Sequence, residues 1–336
     1  MDQALLKQCF HNCLFVEEQE SGLVPFRYTH AQCHFYDEIS YGLIMGEKSR
    51  MSAGITLEFD TDAKQFTLCW QIAGGYPTTS VNRGSSLDVY IDGVLRGQKL
   101  IDCEWHTPQE DTFALGKGHK RVVVFLPHTY IFSLADIVLP AGATFAPVPQ
   151  RTRKALILGD SITQGIGACY ASTGYAMQLS RMLNAECLNQ SIAAVRFEPE
   201  CLEKTDFMPD LITIALGTND WSHRADKAEY DDYASRFLAR IHEFYPGVPT
   251  AVISPVKRCR DEADLPEGRP HMYRESELYS ALSALSAPYP QMHCINGWLL
   301  VPHVTSFFQD GLHPNDLGMT FYAHALYQQL TESGKR

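Results

Sequence analysis

The chain has no surplus of positive charge: 28 Lys and Arg stand against 39 Asp and Glu, a formal charge of −11. That excludes nucleic acid or an anionic membrane surface as its main partner. No apolar run approaches the ~20 residues of a membrane span, and the stretch Met1 to Asn12 lacks the basic start and apolar core of a secretory signal. Ten cysteines are present, yet none form a Cys-x-x-Cys pair, the nearest two being Cys9 and Cys13. Ligand spacing for structural zinc is therefore missing. Scattered thiols in a chain without a signal point to a reducing cytoplasm, and no feature marks a catalytic cysteine.

At about 150 residues per domain, 336 residues suggest two. Residues 1–50 carry little period: Leu5 to Val16 reads as either a short helix or a strand, and Arg27 to Tyr41 is rich in His, Tyr and Phe without a stripe. From Ser52 strands dominate. Gly54 to Asp60, Gln65 to Ile72 and Ser86 to Gly93 alternate apolar and polar residues, and Asp92-Gly93 is a hairpin signal with Val94 to Ile101 as the return strand. Thr112–Leu115, Arg121–Leu126 and Ser133–Leu139 follow, punctuated by Gly and Pro. This pattern predicts an antiparallel β-sandwich or jelly roll over residues 1–146. Trp70, Tyr76, Arg83 and Trp105 are its candidate ligand contacts, although aromatics in a sandwich mostly fill the core. Ala141 to Arg153, with Pro147 and Pro149, reads as a linker.

Residues 147–336 change to alternating strands and helices. Ala155–Leu158, Glu186–Asn189, Asp210–Leu216, Pro249–Ser254 and Met292–Ile295 read as strands. Thr173–Leu183, Asp226–Tyr245, Met272–Ala287 and Asn315–Leu330 read as helices. Such alternation predicts an α/β domain, a parallel sheet with helices on both faces. Lys257 to His271 is polar and reads as a loop beside the site.

The polar residues gather at strand ends, where open α/β sheets bind ligands. The first strand ends in Gly159-Asp160-Ser161, the second in Asn189-Gln190-Ser191-Ile192-Ala193-Ala194, the third in Gly217-Thr218-Asn219-Asp220, and Asp310-Gly-Leu-His313 precedes the last helix. A serine hydroxyl attacks only when a base takes its proton. His313 suits that work, and Asp310 orients it if the segment forms a tight turn. The developing oxyanion needs preorganised donors, available from the backbone N–H of Ser161, an N–H near Ala194 and the amide of Asn219. His223, close to Asn219 in sequence, is the rival base, but His313 brings its own carboxylate. The Gly-rich turn Gly159 to Gly167 lacks the Lys-Ser/Thr ending of a P-loop, and Asp160 would repel phosphate.

These pieces, in this order, resemble the SGNH hydrolase superfamily, or GDSL esterases. The first block is matched by Gly159-Asp160-Ser161 and Gly165, the third by Gly217-Thr218-Asn219-Asp220, and the last by Asp310 and His313. The second block carries Ala194 where the family usually has Gly, a position in doubt if positive φ is needed. The resemblance covers about residues 154–330 and implies a flavodoxin-like three-layer fold. It makes Ser161 the nucleophile, His313 the base, Asp310 its orienter, and Ser161, Ala194 and Asn219 the oxyanion hole, with no metal or cofactor. A sandwich ahead of such a domain is similar to certain carbohydrate acetyl esterases.

The expectation is therefore a serine esterase that removes a short acyl group, acetyl first, from a sugar or small polar metabolite. Asp160, Trp221 and Trp298 are candidate substrate contacts. A long-chain lipase is disfavoured because no amphipathic lid is evident. The competing readings are a carbohydrate-binding protein with an inert hydrolase fold, and an arylesterase or thioesterase. The sequence leaves the oligomeric state open.

Overall fold

The computed structural model describes residues 1–39, 41, 44–76, 85–259 and 265–333. Alternating stretches become strands where expected. Ser86–Ile91 and Val94–Leu100 form a hairpin, and its turn residues Asp92 and Gly93 both take positive φ, 50° and 79°, as a type I′ turn requires. One antiparallel sheet runs Phe10–His11, Thr56–Thr61, Lys120–Phe125, Ser86–Ile91, Val94–Leu100. The other runs Phe15–Gln19, Gly22–Phe26, Tyr130–Val138, Gln65–Gly75, Gln109–Ala114. Their inner faces share one core that includes Phe59, Phe66, Trp70, Val122, Val124 and Phe132, so the expected sandwich is present. The segment read as a linker is partly structured: Phe145–Pro147 is a strand on Thr56–Thr61, with Pro147 opposite Phe59.

The second half forms a parallel sheet in the order Glu186–Ser191, Lys154–Gly159, Leu211–Ala215, Thr250–Ile253, Met292–Ile295. Counted along the chain this is 2-1-3-4-5, the flavodoxin-like doubly wound order. The Lys227–Phe244 helix presents Tyr230, Ala234, Phe237, Leu238 and Ile241 to one face. Tyr175–Leu183 and Asp316–Ser333 cover the other, where the Tyr175 and Tyr322 rings stack at 4.0 Å. The helix expected from Met272 begins later, as Leu278–Ser286 after a 3-10 turn at Glu275–Glu277. Glu277 accepts from the Arg274 N–H at 2.8 Å, which caps the chain there. Among the described residues, no helix is long and apolar enough to cross a membrane.

The aperiodic N-terminal stretch is shared: Leu6, Cys9 and Phe10 bury in the sandwich core, and Tyr28, Cys33, Tyr36 and Met45 in the core of the α/β half. His30–Glu38 is a helix opened by a Thr29–Gln32 capping box, and Cys33 and Tyr36 bury against Leu158, Leu188, Val195 and Phe197. Below it, the carboxylate of Glu186 is sealed between the two halves. It accepts from the Asn12 and Arg151 N–H groups at 3.0 Å and from Arg151 Nη1 at 3.0 Å, with His11 Nδ1 at 2.7 Å. Burial by itself would raise its pKa. The hydrogen bond and charge of His11, and those of Arg151, outweigh burial and bring it from 4.5 down to about 2. A depressed folded pKa stabilises the protein above the unfolded value and loses that contribution as pH falls through the folded one. Glu186→Gln is accordingly expected to lower the melting temperature at pH 7, with the gap to wild type closing as the pH drops from about 4.5 toward 2. Thermal melts across that range check it; a gap that stays constant would show that Glu186 is not the acid-sensitive group.

Candidate active site

The Lys154–Gly159 strand ends at the carboxyl edge of the sheet and turns into the short helix Ser161–Gln164. Asp160 caps that helix, its carboxylate accepting from the Ile162 N–H at 3.0 Å. It is 4% exposed, and burial, against the pull of the Ile162 N–H, His313 and Arg258, raises its pKa to about 6. Asp160, read in the sequence as a candidate substrate contact, is placed on the turn as the cap of this helix.

Ser161 is 8% exposed, and its Oγ lies 2.9 Å from His313 Nε2. His313 Nδ1 lies 2.9 Å from Asp310 Oδ2. The second carboxylate oxygen, Oδ1, accepts from the Leu312 and His313 N–H groups at 2.9 and 2.8 Å. Burial acts to raise the Asp310 pKa, but the hydrogen bonds from His313 and Leu312 and the nearby imidazole win and hold it well below the usual carboxylate range. The loop is closed by the Gln309 N–H on the His313 carbonyl at 2.8 Å and by positive φ at Gly311. Asn315 then caps the last helix through the Leu317 and Gly318 N–H groups. His223, the rival base, instead lies with Nδ1 2.9 Å from the Asn219 carbonyl.

Gly167 is what lets this loop approach. Its φ is 101°, and a Cβ there would stand 2.4 Å from the Pro314 carbonyl oxygen and 2.9 Å from His313 Cβ. Gly167→Ala is expected to push His313 away from Ser161 and lower kcat about a hundredfold, with secondary structure retained. Steady-state kinetics beside far-UV circular dichroism check this, and wild-type turnover would refute it.

The loop after the Glu186–Ser191 strand passes close by. The Ile192 N–H donates to the Gly159 carbonyl at 3.2 Å, and the Ala193 N–H to Gln164 Oε1 at 2.7 Å. Asn219 Nδ2 donates to the Val195 carbonyl at 3.0 Å, and Asp220 accepts from the Phe197 N–H. Ala194 sits in this turn at φ 73°, so the site holds a side chain where glycine is cheaper, a strain of order 1–3 kcal/mol. Among the described residues, neither the Ala194 nor the Ser161 N–H donates to another protein group. Asn219 keeps its second amide hydrogen after bonding Val195.

Other expectations sort differently. Trp221 is buried; its indole N–H donates to the Tyr273 carbonyl at 2.8 Å, and Arg258 covers its ring at 4.5 Å. With Ser222, Arg258 and Arg269 it backs a cavity of about 700 Å³. Trp298 is half-buried under Lys257, 4.9 Å from the ring centre. In the sandwich, Trp70 is a core residue stacked near Phe132, with its N–H on Asp111. Trp105 is exposed, Tyr76 is half-buried beside Lys48, and Arg83 lies outside the described residues. Sequence reasoning missed Gln164, Lys48 and Arg27, whose partners are distant in the chain.

Residues 157–321 match the family model described as the GDSL-like lipase/acylhydrolase family. No curated protein matches the chain by sequence. Among solved structures, the chain is similar to the salicylyl-acyltransferase SsfX3 from a tetracycline biosynthetic pathway, at 20% identity and TM-score 0.80 over 97% of this chain and 94% of that one. It is also similar to a putative GDSL-like lipase from Bacteroides ovatus, at 18% identity and TM-score 0.77 over 100% and 97%. A family two carbohydrate esterase from Clostridium thermocellum, in complex with cellohexaose, matches at 14% identity and TM-score 0.66 over 84% and 93%. These likenesses reach into the sandwich as well as the hydrolase half.

Proposed function

We propose that the chain is an ester hydrolase of the SGNH superfamily, on the match of residues 157–321 to the GDSL-like lipase/acylhydrolase family model, and that it removes short acyl groups, acetyl first, from a carbohydrate or small polar metabolite. The observation that carries the reading is the hydrogen-bonded line Ser161–His313–Asp310, with 2.9 Å at each step. Ser161 Oγ attacks the ester carbonyl while His313 Nε2 takes its proton, and Asp310 keeps the other imidazole nitrogen protonated and the ring in place. The tetrahedral oxyanion is held by the Ser161 and Ala194 N–H groups and the Asn219 amide. His313 returns the proton to the departing alcohol, leaving an acyl-enzyme; water, activated by the same base, releases the acid.

Support for a small polar substrate comes from the carbohydrate esterase of similar fold and from Ser222, Arg258, Glu267 and Arg269 in the wall of the cavity that Trp221 lines. The −11 charge favours a small-molecule partner over nucleic acid or membrane, and ten free thiols favour a reducing cytoplasm. The test is hydrolysis of p-nitrophenyl acetate, butyrate and octanoate, followed by acetylated sugars. The expected result is a kcat/KM that falls at least tenfold from acetate to octanoate. Equal or rising rates with chain length would overturn the short-acyl reading.

The acyltransferase of similar fold favours a second reading, in which an alcohol other than water accepts the acyl group. Adding polyol or sugar acceptors to the acetate assay separates the two: a transferred ester product supports it, and acetate alone supports hydrolysis.

A further inference from the structure

Lys48 lies on the short helix Met45–Ser49, between the His30–Glu38 helix and the sandwich strand Thr56–Thr61, and its side chain is fully buried. A buried ammonium is costly unless a carboxylate or several acceptors compensate it. Here the compensation is thin. Nζ donates to the Ala193 carbonyl at 3.1 Å; its other neighbours are Met45 Sδ at 3.9 Å and the Tyr76 ring, 4.9 Å to the centre. Among the described residues it has no ion pair. Burial brings its pKa down to about 8, which leaves the cation charged at neutral pH.

The carbonyl it chooses is informative. Ala193 C=O and Ala194 N–H are the two ends of one peptide group, and that N–H is the free donor of the positive-φ turn beside Ser161. A cation on the carbonyl draws electron density from the amide and strengthens its N–H as a donor, since hydrogen bonds in series polarise one another. The preceding peptide, Ile192–Ala193, is held by Gln164 Oε1 on the Ala193 N–H. A second buried cation, Arg27, ties the Lys48 helix to the strand leading into the turn: it donates to the Met51, Lys48 and Ser191 carbonyls at 2.7, 3.3 and 3.1 Å, and to that of Asn189. The N-terminal region therefore reaches into the hydrolase site through its backbone.

We propose that Lys48 is a positioning residue for the acyl-transfer step, polarising the Ala193–Ala194 peptide so that the Ala194 N–H binds the developing oxyanion. This rests on the esterase reading for its consequence in rate, but the polarisation is measurable without any substrate. The sequence contains a single Ala-Ala dipeptide, Ala193-Ala194. Protein labelled with carbonyl-13C alanine and 15N alanine therefore gives one cross-peak in a carbonyl–amide correlation spectrum, and it reports this peptide alone.

The experiment compares that peak, kcat and KM, and the melting temperature in wild type, Lys48→Met, Lys48→Gln and Lys48→Arg. Lys48→Met is expected to move the Ala193 carbonyl and Ala194 amide proton to lower frequency. It is also expected to lower kcat about tenfold at unchanged KM, less than the hundred- to thousandfold cost of losing a whole oxyanion donor. Lys48→Arg should restore most of both, and Lys48→Gln, a neutral donor of smaller cavity cost, should fall between. A Lys48→Met or Lys48→Gln peak at the wild-type position overturns the proposal, as does a moved peak with unchanged kcat. A moved peak in a protein whose wild type turns over no ester upholds the coupling and removes the esterase reading instead.

Discussion

Ser161→Ala is expected to abolish ester turnover, lowering kcat by roughly 10⁴- to 10⁶-fold while leaving the fold intact. The hydroxyl makes one side-chain hydrogen bond, to His313 Nε2, and it is a terminal group on a helix whose cap is Asp160. Removing it breaks neither the cap nor a packed contact, so the stability cost should stay near 1 kcal/mol, the net worth of about one ordinary hydrogen bond. The chemistry has no substitute: no other hydroxyl lies against His313 among the hydrogen bonds of the described residues. The measurement is single-turnover acylation by p-nitrophenyl acetate beside a thermal melt. A Ser161→Ala variant that still gives a burst of p-nitrophenol would remove Ser161 from the nucleophile's role; loss of both burst and fold would make it structural.

Asp310→Asn is expected to cost about 10⁴-fold in kcat, and the loop explains why so small a change should matter. Oδ1 of Asp310 is already committed to two backbone donors, the N–H groups of Leu312 and His313. In the asparagine variant those donors hold the amide oxygen at the same position, which turns the NH₂ toward His313 Nδ1. That nitrogen must then present a lone pair, so the proton sits on Nε2, facing Ser161, and the imidazole can no longer accept from the hydroxyl. The loss should appear in kcat and kcat/KM alike, with KM nearly unchanged, because no substrate contact is removed. Turnover within tenfold of wild type would show that Asp310 does not set the tautomer and that His313 is oriented by something else.

Much of this was legible in the linear chain because it depends on local chemistry. The strands of the sandwich announce themselves through period-two alternation, since one face of each meets the shared core and the other meets solvent. The Lys227–Phe244 helix does so through its apolar stripe. Ser161 and Asn219 stand out because polar residues just past the ends of apolar strands have no packing reason to be there. Asp310 and His313, three residues apart, also meet by a local turn.

Other features were illegible for the opposite reason. The His30–Glu38 helix shows no apolar stripe because its buried face, Gln32, Cys33 and Tyr36, includes a polar residue, whose amide finds its acceptor far away on the Cys201 carbonyl. The positive φ of Ala194 is imposed by the loop's anchors at Gly159, Gln164 and Asn219 rather than by the residue itself, which would prefer otherwise. Asp160, Trp221 and Trp298 read alike in the sequence, as polar or aromatic side chains near the candidate site, yet they are placed differently: Trp221 lines a cavity. Only packing reveals that Asp160 faces its own helix and that cations lie against the two indoles.

Most of the sandwich strands, the alternating strands and helices after residue 153, and the candidate side chains for acyl transfer are visible along the chain, because hydrophobic period, turn residues and short-range pairs are properties of neighbours. Tertiary structure alone decided that Ser161 meets His313, 152 positions further along, that Gly167 clears the way for that meeting, and that Lys48 reaches the carbonyl of the Ala193–Ala194 peptide. Those are contacts between segments brought together by burying apolar surface, a force with no direction along the chain; the residues that meet are chosen by how the sheets and helices stack, and no local pattern records the choice.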